Sequence, residues 1–298
     1  MALRVPAWVL PPGLRLLKRF VYNPTVPFAK QRSRAELVLR LGMRVPRTTT
    51  LEDVDLGGVP CLRVAAPRAD PARRVVHLYG GAYCIGSTTM ARSFAHVVSS
   101  VARAVVYVPA YRLAPEHPFP AALDDSLAVW RALTANAGVP APALMGDSAG
   151  AGLAVATTLE LQAAGEPVPA GLGLVCAWLD LTRRHAPSPD PVLSPAWMKA
   201  CGAAYRAGAD PADPRISPAL ADLADLGGLP PVRLVSATHD LLYPDSVDFE
   251  ERARAAGVRV QHEVEQGLWH DYPLQAGTIT AGDRAAAGMG RFLAGCWD

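Results

Sequence analysis

The sequence predicts one α/β domain built on a mostly parallel, eight-stranded sheet that is flanked by helices. Two observations predict it. From about residue 48 onward, short apolar runs alternate with segments of helical periodicity, which is the pattern of parallel strands and their covering helices. The 298 residues are 50% hydrophobic, enough for one extensive buried core, and no linker divides them.

The predicted elements follow one another in a regular order. The first two strands, 48–56 and 59–64, flank Gly57-Gly58, which is typical of a two-residue hairpin. Six further strands are predicted at 75–79, 104–109, 143–145, 172–178, 232–236 and 258–264. Helices are predicted at 91–102, 119–136, 149–164, 245–256 and 278–294.

Two segments lie outside this alternation. Residues 1–45 contain two short amphipathic helices, 14–22 and 32–42. An interfacial membrane helix has the same pattern, but packing of the apolar face on the rest of the protein is favoured. Residues 181–217 are rich in Pro and Asp and hold one helix at 195–207. A long insertion after a strand is typical of binding loops and lids.

Composition excludes several functional classes. The net charge of +2 and the 19% content of charged residues argue against a nucleic-acid partner. Five scattered cysteines without a C-x-x-C pair favour neither a disulfide framework nor a metal site. No apolar run approaches the ~20 residues of a membrane span, and no signal sequence is evident. We therefore expect a soluble, cytoplasmic protein without stable membrane insertion.

A G-x-S-x-G motif, Gly146-Asp147-Ser148-Ala149-Gly150, joins a predicted strand to a small-residue helix. This strand–turn–helix arrangement is that of the nucleophile elbow. Glycines flank the serine because its backbone is strained and a neighbouring Cβ would collide with adjacent elements. The alternative is a serine that only caps a helix. The residues downstream favour the nucleophile.

A serine hydroxyl needs a base to remove its proton, and the base needs a carboxylate to orient it. Asp240 follows the strand 232–236, and His270 lies between the last strand and the last helix. Both lie at C-terminal strand ends, where α/β sheets place their sites. They also follow the serine in the expected order of acid and then histidine. We therefore predict Ser148, Asp240 and His270 as a catalytic triad.

Other residues compete for these roles. Asp245 starts a predicted helix and is interpreted as a charge at its N-terminus. Asp271 is too close to His270 in sequence to orient it easily. Structural roles are predicted for the remaining candidate bases, His117, His239 and His262.

Ester hydrolysis also needs hydrogen-bond donors directed at the developing oxyanion. The loop after strand 75–79 contains Gly80-Gly81, whose missing side chains let backbone N–H groups approach a substrate carbonyl. The N–H of Ala149, immediately after the nucleophile, supplies a further donor. We predict Gly80, Gly81 and Ala149 as the oxyanion hole.

Further motifs accompany the elbow. Residues 79–87 read YGGAYCIGS, and residues 111–122 read YRLAPEHPFPAA. Asp180-Leu181-Thr182, Ser217-Pro218 and Gly267 to His270 follow in order. Together these motifs, from about residue 50 to the C-terminus, resemble those of the bacterial hormone-sensitive-lipase-like (family IV) esterases of the α/β-hydrolase superfamily.

The resemblance implies an α/β-hydrolase fold that hydrolyses short- to medium-chain carboxylic esters in the cytoplasm without a cofactor. It implies a helical cap made of residues 1–45 and 181–215, over a catalytic core made of residues 46–180 and 216–298. It also implies a homodimer formed through the edge strand 258–264, since open sheet edges tend to pair.

The chain departs from the family pattern at three places. Tyr79 stands where the family's loop has a histidine that braces it, and Ala82 stands where it has a third glycine. The Tyr79 hydroxyl or His77, two residues back on the same face of the strand, is expected to brace the loop. Ala82 is expected to disfavour a positive φ. Tyr243-Pro244-Asp245 replaces an Arg-Asp-Glu pattern, at a helix start where Pro is acceptable.

Two other functional interpretations stay open. The same triad serves amide, lactone or carbamate hydrolases and acyltransferases, and the substrate contacts that separate these are not recognisable in the sequence. A non-catalytic ligand-binding protein on the same fold is less favoured because all three triad positions are intact.

Overall fold

The computed structural model describes residues 4–42, 45–136 and 138–298. One sheet of eight strands forms its centre, in the order β1-β2-β4-β3-β5-β6-β7-β8. The strands are β1 (Thr50–Leu56), β2 (Val59–Ala65), β3 (Asp70–Leu78), β4 (Ala104–Pro109), β5 (Ala143–Asp147), β6 (Leu172–Val175), β7 (Val232–Ala237) and β8 (Val260–Glu265). The described helices are α1 (Pro11–Phe20), α2 (Phe28–Gly42), α3 (Thr88–Ala102), α4 (Ala121–Thr134), α5 (Ala149–Ala163), α6 (Pro195–Arg206), α7 (Leu223–Leu226), α8 (Tyr243–Ala255) and α9 (Thr280–Ala294).

The predicted fold class is confirmed. Strand β2 pairs antiparallel with β1 and β4, and every other pairing is parallel. The turn between β1 and β2 is Gly57-Gly58, with φ of 65° and 84°, the left-handed values that a two-residue hairpin requires. The central strands β5 and β6 are buried along their whole length, as expected for a sheet covered on both faces.

Four neighbouring parallel strands, β5, β6, β7 and β8, end at the same edge of the sheet. The loops that carry Ser148, Asp240 and His270 all leave from this edge. The sheet topology therefore assembles one site from residues that are far apart in the sequence.

Strand β6 is shorter than the predicted 172–178. Cys176 has a φ of 46°, a left-handed conformation that ends the extended backbone directly after Val175. The chain then turns back, and the N–H of Trp178 donates to the backbone oxygen of Ser148 at 3.0 Å.

The N-terminal segment packs against the insertion that contains α6. The Trp197 indole N–H donates to the Gln31 side-chain oxygen at 2.8 Å, and the rings of Tyr22 and Trp197 meet edge to face with centroids 5.0 Å apart. Lys18 donates to the backbone oxygen of Asp190 at 3.0 Å. Of the predicted cap residues 1–45, positions 1–3, 43 and 44 lie outside the described residues.

Within the part of the chain that the structure describes, no helix combines the length and the apolar character needed to cross a bilayer. All five cysteines are free, and four of them are buried.

Candidate active site

Ser148 occupies a strained turn between β5 and α5. Its φ and ψ are 52° and −122°, outside the regions that side chains favour, and its N–H donates to the Val175 oxygen at 2.8 Å. A Cβ on Gly146 would lie 2.2 Å from the oxygen of Gly150, and one on Gly150 would lie 2.0 Å from the oxygen of Leu78. Both flanking positions are therefore restricted to glycine by the tightness of the turn.

The structure brings His270 and Asp240 into contact. The Nδ1–H of His270 donates to Asp240 Oδ1 at 3.0 Å, and the Leu242 N–H donates to the same oxygen at 2.8 Å. Both side chains are nearly inaccessible to solvent. This pairing fixes the orientation of the imidazole ring and places a carboxylate against one of its two nitrogens.

The second nitrogen of His270 faces an unexpected neighbour. Its Nε2 lies 3.1 Å from Asp271 Oδ2, although Asp271 was not expected to reach the ring easily. The reason is local: Asp271 has a φ of 55°, so the backbone turns left-handed and brings its carboxylate back to the preceding imidazole. The Ser148 hydroxyl makes no hydrogen bond to any residue that the structure describes.

Two carboxylates on one buried ring change its protonation. Burial lowers the pKa of His270, but Asp240 and Asp271 outweigh burial and hold that pKa well above its usual range. Burial also raises the pKa of the Asp271 carboxyl to about 7, against the opposite pull of the imidazole beside it. The resting site therefore favours a charged imidazolium at neutral pH.

A third carboxylate, Asp190, belongs to the same cluster. Its two oxygens accept the N–H groups of Leu241 (3.0 Å) and Val192 (2.8 Å), and it is 3% exposed. Possible ligand atoms of Asp190, Asp240 and His270 all lie within 4.8 Å of one another. Burial raises the pKa of Asp190, and the Asp240 charge raises it further. Asp190 has no recognisable signal in the sequence, because it lies in an irregular Pro- and Asp-rich segment without a motif.

The glycine loop after β3 is braced from the elbow itself. Asp147 Oδ2 accepts the N–H of Gly80 at 2.7 Å, and Asp147 Oδ1 hydrogen-bonds with His77 Nε2 at 2.7 Å. The bracing histidine is therefore His77, one of the two predicted candidates. The predicted oxyanion donor Gly80 differs from expectation, because its N–H already binds a carboxylate. No acceptor for the N–H of Gly81 or Ala149 exists among the described residues.

Tyr79 and Ala82 behave differently from the sequence expectation. The Tyr79 ring stacks on Tyr111 with centroids 4.5 Å apart, and the Tyr111 hydroxyl donates to the Tyr79 backbone oxygen at 2.6 Å. Tyr79 therefore supports the loop through its ring and backbone. Ala82 and Tyr83 adopt φ of 53° and 62° despite their side chains. Packing overrides the left-handed cost of ~1–2 kcal/mol per residue here.

Competing residues have structural partners. His262 hydrogen-bonds with Ser236 Oγ at 2.6 Å and with Glu250 at 2.7 Å, across β8, β7 and α8. Asp245 lies in the first turn of α8, as predicted, and its carboxylate also accepts the N–H groups of Leu179 and Asp180, both at 3.2 Å. Burial raises the pKa of Asp245 to about 8.

Two groups of side chains have the composition of a metal site. They are Cys176, His270 and Asp271, and Asp190, Asp240 and His270. Both use the imidazole of His270, so a metal bound to either group would occupy the ring that a serine nucleophile needs as its base.

Comparisons with known proteins identify the family of this chain. A family model described as the alpha/beta hydrolase fold matches residues 75–274. An acetyl-hydrolase of Streptomyces hygroscopicus is 34% identical over 233 residues, which cover 76% of this chain and 77% of that protein. An esterase of Acinetobacter venetianus is 32% identical over 252 residues, 82% of each chain. A crystal structure of a hormone-sensitive lipase from a metagenome library superposes with a TM-score of 0.88 at 31% identity, covering 97% of this chain and 98% of that one. The chain therefore belongs to the α/β-hydrolase fold family, in its branch of bacterial hormone-sensitive-lipase-like esterases.

Proposed function

We propose that this protein is a serine carboxylesterase whose triad is Ser148, Asp240 and His270. One observation carries the proposal: an imidazole oriented by a buried carboxylate lies on the same sheet edge as a serine in a strained turn. The relatives named acetyl-hydrolase and esterase support the reaction class.

The proposed reaction is acyl transfer in two steps. The resting imidazolium passes its Nε2 proton to the Asp271 carboxylate, and the resulting carboxyl group moves away from the ring. The neutral imidazole then takes the proton of the Ser148 hydroxyl as its oxygen attacks the ester carbonyl. The imidazolium returns this proton to the leaving alcohol. A water molecule, deprotonated by the same ring, hydrolyses the acyl-enzyme and restores the serine. The chemistry needs no cofactor.

The oxyanion donors that we propose are the N–H groups of Gly81 and Ala149. Both lack an acceptor among the described residues, whereas the Gly80 N–H is held by Asp147. Gly80 then acts as the anchor that fixes the loop rather than as a donor. A Cβ on Gly81 would lie 2.1 Å from the Ile85 oxygen, so this loop conformation requires glycine there.

We propose short- to medium-chain acyl esters as substrates. Ser148 is 3% exposed, and Tyr83 lies close to the first turn of α5, since a Cβ on Gly152 would lie 3.1 Å from the Tyr83 hydroxyl oxygen. The Tyr83 ring stacks on the Tyr205 ring with centroids 3.7 Å apart, and the centroids of the Tyr83 and Trp178 rings lie 6.1 Å apart. Such a crowded site favours a small acyl group. The cap of residues 1–45 and 181–215, the homodimer through 258–264 and the cytoplasmic location stay predictions.

The decisive variant is Ser148→Ala. Its turnover of p-nitrophenyl acetate should fall by ~10³-fold or more, because the substitution removes the proposed nucleophile. Ser33→Ala, on the exposed face of α2, is the control and should keep full activity. Near-full activity of the Ser148→Ala protein would exclude the triad. Product analysis by mass with an added alcohol separates hydrolysis from acyl transfer.

A further inference from the structure

A cavity of about 590 Å³ lies between α6 and the segment that follows β6. We call it the α6 cavity. Its volume lies within the ~300–1,000 Å³ range of small-molecule sites. The side chains that line it include Trp178, Arg184, His185, Met198, Lys199 and Arg206.

The charged side chains that line the α6 cavity are all basic. Its described lining contains no acidic side chain. Arg183 forms an ion pair with Asp248 and also contacts the Asp245 carboxyl at 2.9 Å. Arg184 and Lys199, by contrast, have neither an ion pair nor a side-chain hydrogen bond within the described ranges. Among the residues that the structure describes, the Arg206 guanidinium donates only to the backbone oxygen of Ala209, at 3.3 Å. Three cations thus face one cavity without a carboxylate partner.

Two buried side chains in the same wall also lack partners. The Trp178 side chain is buried, and its indole N–H, which can only donate, has no acceptor among the described residues. The His185 side chain is 5% exposed; neither ring nitrogen makes a hydrogen bond to a described residue, and Nδ1 lies 4.0 Å from Asp245 Oδ1. Burial and the Arg183 charge lower the pKa of His185, so the neutral ring supplies one further donor. A ligand acceptor inside the cavity would satisfy the buried indole N–H of Trp178.

The remaining wall is apolar. It combines the Trp178 ring with Met198, Pro195 and Ala203. Gly202 keeps this space open, because a Cβ there would already lie 3.4 Å from the indole ring. A ligand that matches the α6 cavity therefore has a flat or compact apolar body and an acceptor-rich, negatively charged end.

We propose that the α6 cavity binds an organic carboxylate, with its apolar body on Trp178 and Met198 and its charge on Arg184, Lys199 and Arg206. The cavity shares Trp178 with the surroundings of the nucleophile, since the backbone N–H of Trp178 donates to the backbone oxygen of Ser148 at 3.0 Å. Two sources share this chemistry: the acidic arm of an ester substrate, and a separate carboxylate ligand.

Isothermal titration calorimetry tests the site without any ester. The protein is titrated separately with 2-naphthoate and with its neutral analogue 2-naphthamide, and the two affinities are compared. We expect 2-naphthoate to bind at least ~10-fold more tightly than 2-naphthamide. The double variant Arg184→Gln/Lys199→Gln should weaken only the 2-naphthoate affinity, by ~10-fold or more. The variant Gly202→Leu, which fills the cavity and keeps its charges, should also weaken it.

The matched control is Arg15→Gln/Lys30→Gln, which removes the same charge from exposed positions of α1 and α2. Competitive inhibition of p-nitrophenyl acetate turnover by 2-naphthoate would assign the cavity to a substrate arm. Binding without competition would assign it to a separate ligand. Equal affinity for 2-naphthoate and 2-naphthamide, or equal 2-naphthoate affinity in the two double variants, would overturn the proposal. Titration measures binding directly, so the proposal is tested independently of the esterase assignment.

Discussion

Replacement of Asp271 by Asn tests the unusual environment of the catalytic imidazole. Asparagine has nearly the same shape as aspartate but no charge, so the variant removes only the electrostatic contact at 3.1 Å from His270 Nε2. Asp240, Asp190 and Cys176, the other titratable groups around the ring, stay unchanged.

The expected magnitude follows from the distance. Two unit charges 3.1 Å apart interact by about 5 kcal/mol at an effective dielectric of about 20. Loss of that energy would lower the pKa of the imidazole by at most about 4. Because the pKa of Asp271 is itself about 7, its carboxyl is only partly ionised near neutral pH. We therefore expect the pKa of His270 to fall by ~1–3 in the variant.

The direction of the activity change follows from the role of the base. Only the neutral imidazole accepts the serine proton, so kcat/KM rises as the pH increases through the raised pKa of His270. Asp271→Asn lowers this pKa and should move the acid limb of the profile to lower pH by ~1–3 pH units. At a pH below the wild-type limb, activity should then rise ~10-fold for each pH unit that the limb moves.

The assay is p-nitrophenyl acetate hydrolysis from about pH 5 to 9, followed at the isosbestic wavelength of p-nitrophenol. Asp53→Asn, on the exposed edge strand β1, is the charge-matched control and should leave the profile unchanged. An acid limb that stays in place, or moves to higher pH, would refute the assigned role of Asp271.

Two further predictions concern the parts that hold the site together. His77→Ala removes the imidazole that lies 2.7 Å from Asp147 Oδ1. The glycine loop is then anchored less firmly, so kcat/KM for p-nitrophenyl acetate should fall by ~10–100-fold. A change below twofold would contradict the bracing role. Gly150→Ala places a Cβ 2.0 Å from the Leu78 oxygen. The resulting overpacking should cost about 3 kcal/mol or more and lower the melting temperature by several degrees; an unchanged melting temperature would show that the elbow is less tightly packed than the structure indicates.

Much of the fold was predictable because its signals are local. Strands and helices appear in the sequence as changes of apolar periodicity, and Gly57-Gly58 marks the hairpin. The elbow and the two downstream strand ends carry Ser148, Asp240 and His270, so chain order and parallel topology were enough to predict the contact between the last two.

The rest depended on conformations that have no sequence signal. Asp271 reaches His270 only because its own backbone is left-handed, and Ala82 adopts a positive φ that its side chain disfavours. The Gly80 N–H donates to Asp147 rather than pointing to the substrate, and this hydrogen bond depends on the folded position of the loop, which has no sequence signal. Asp190 enters the site from an irregular segment whose path no periodicity describes.

The most direct test of the central claim is mass-spectrometric mapping of a fluorophosphonate adduct. The reagent labels a serine that a neighbouring base activates, so the account predicts one adduct, on the peptide that contains Ser148. The adduct should be absent from the Ser148→Ala protein and strongly reduced in the His270→Ala protein. An adduct on another serine would contradict the account. So would full ester turnover by protein in which every Ser148 carries the label.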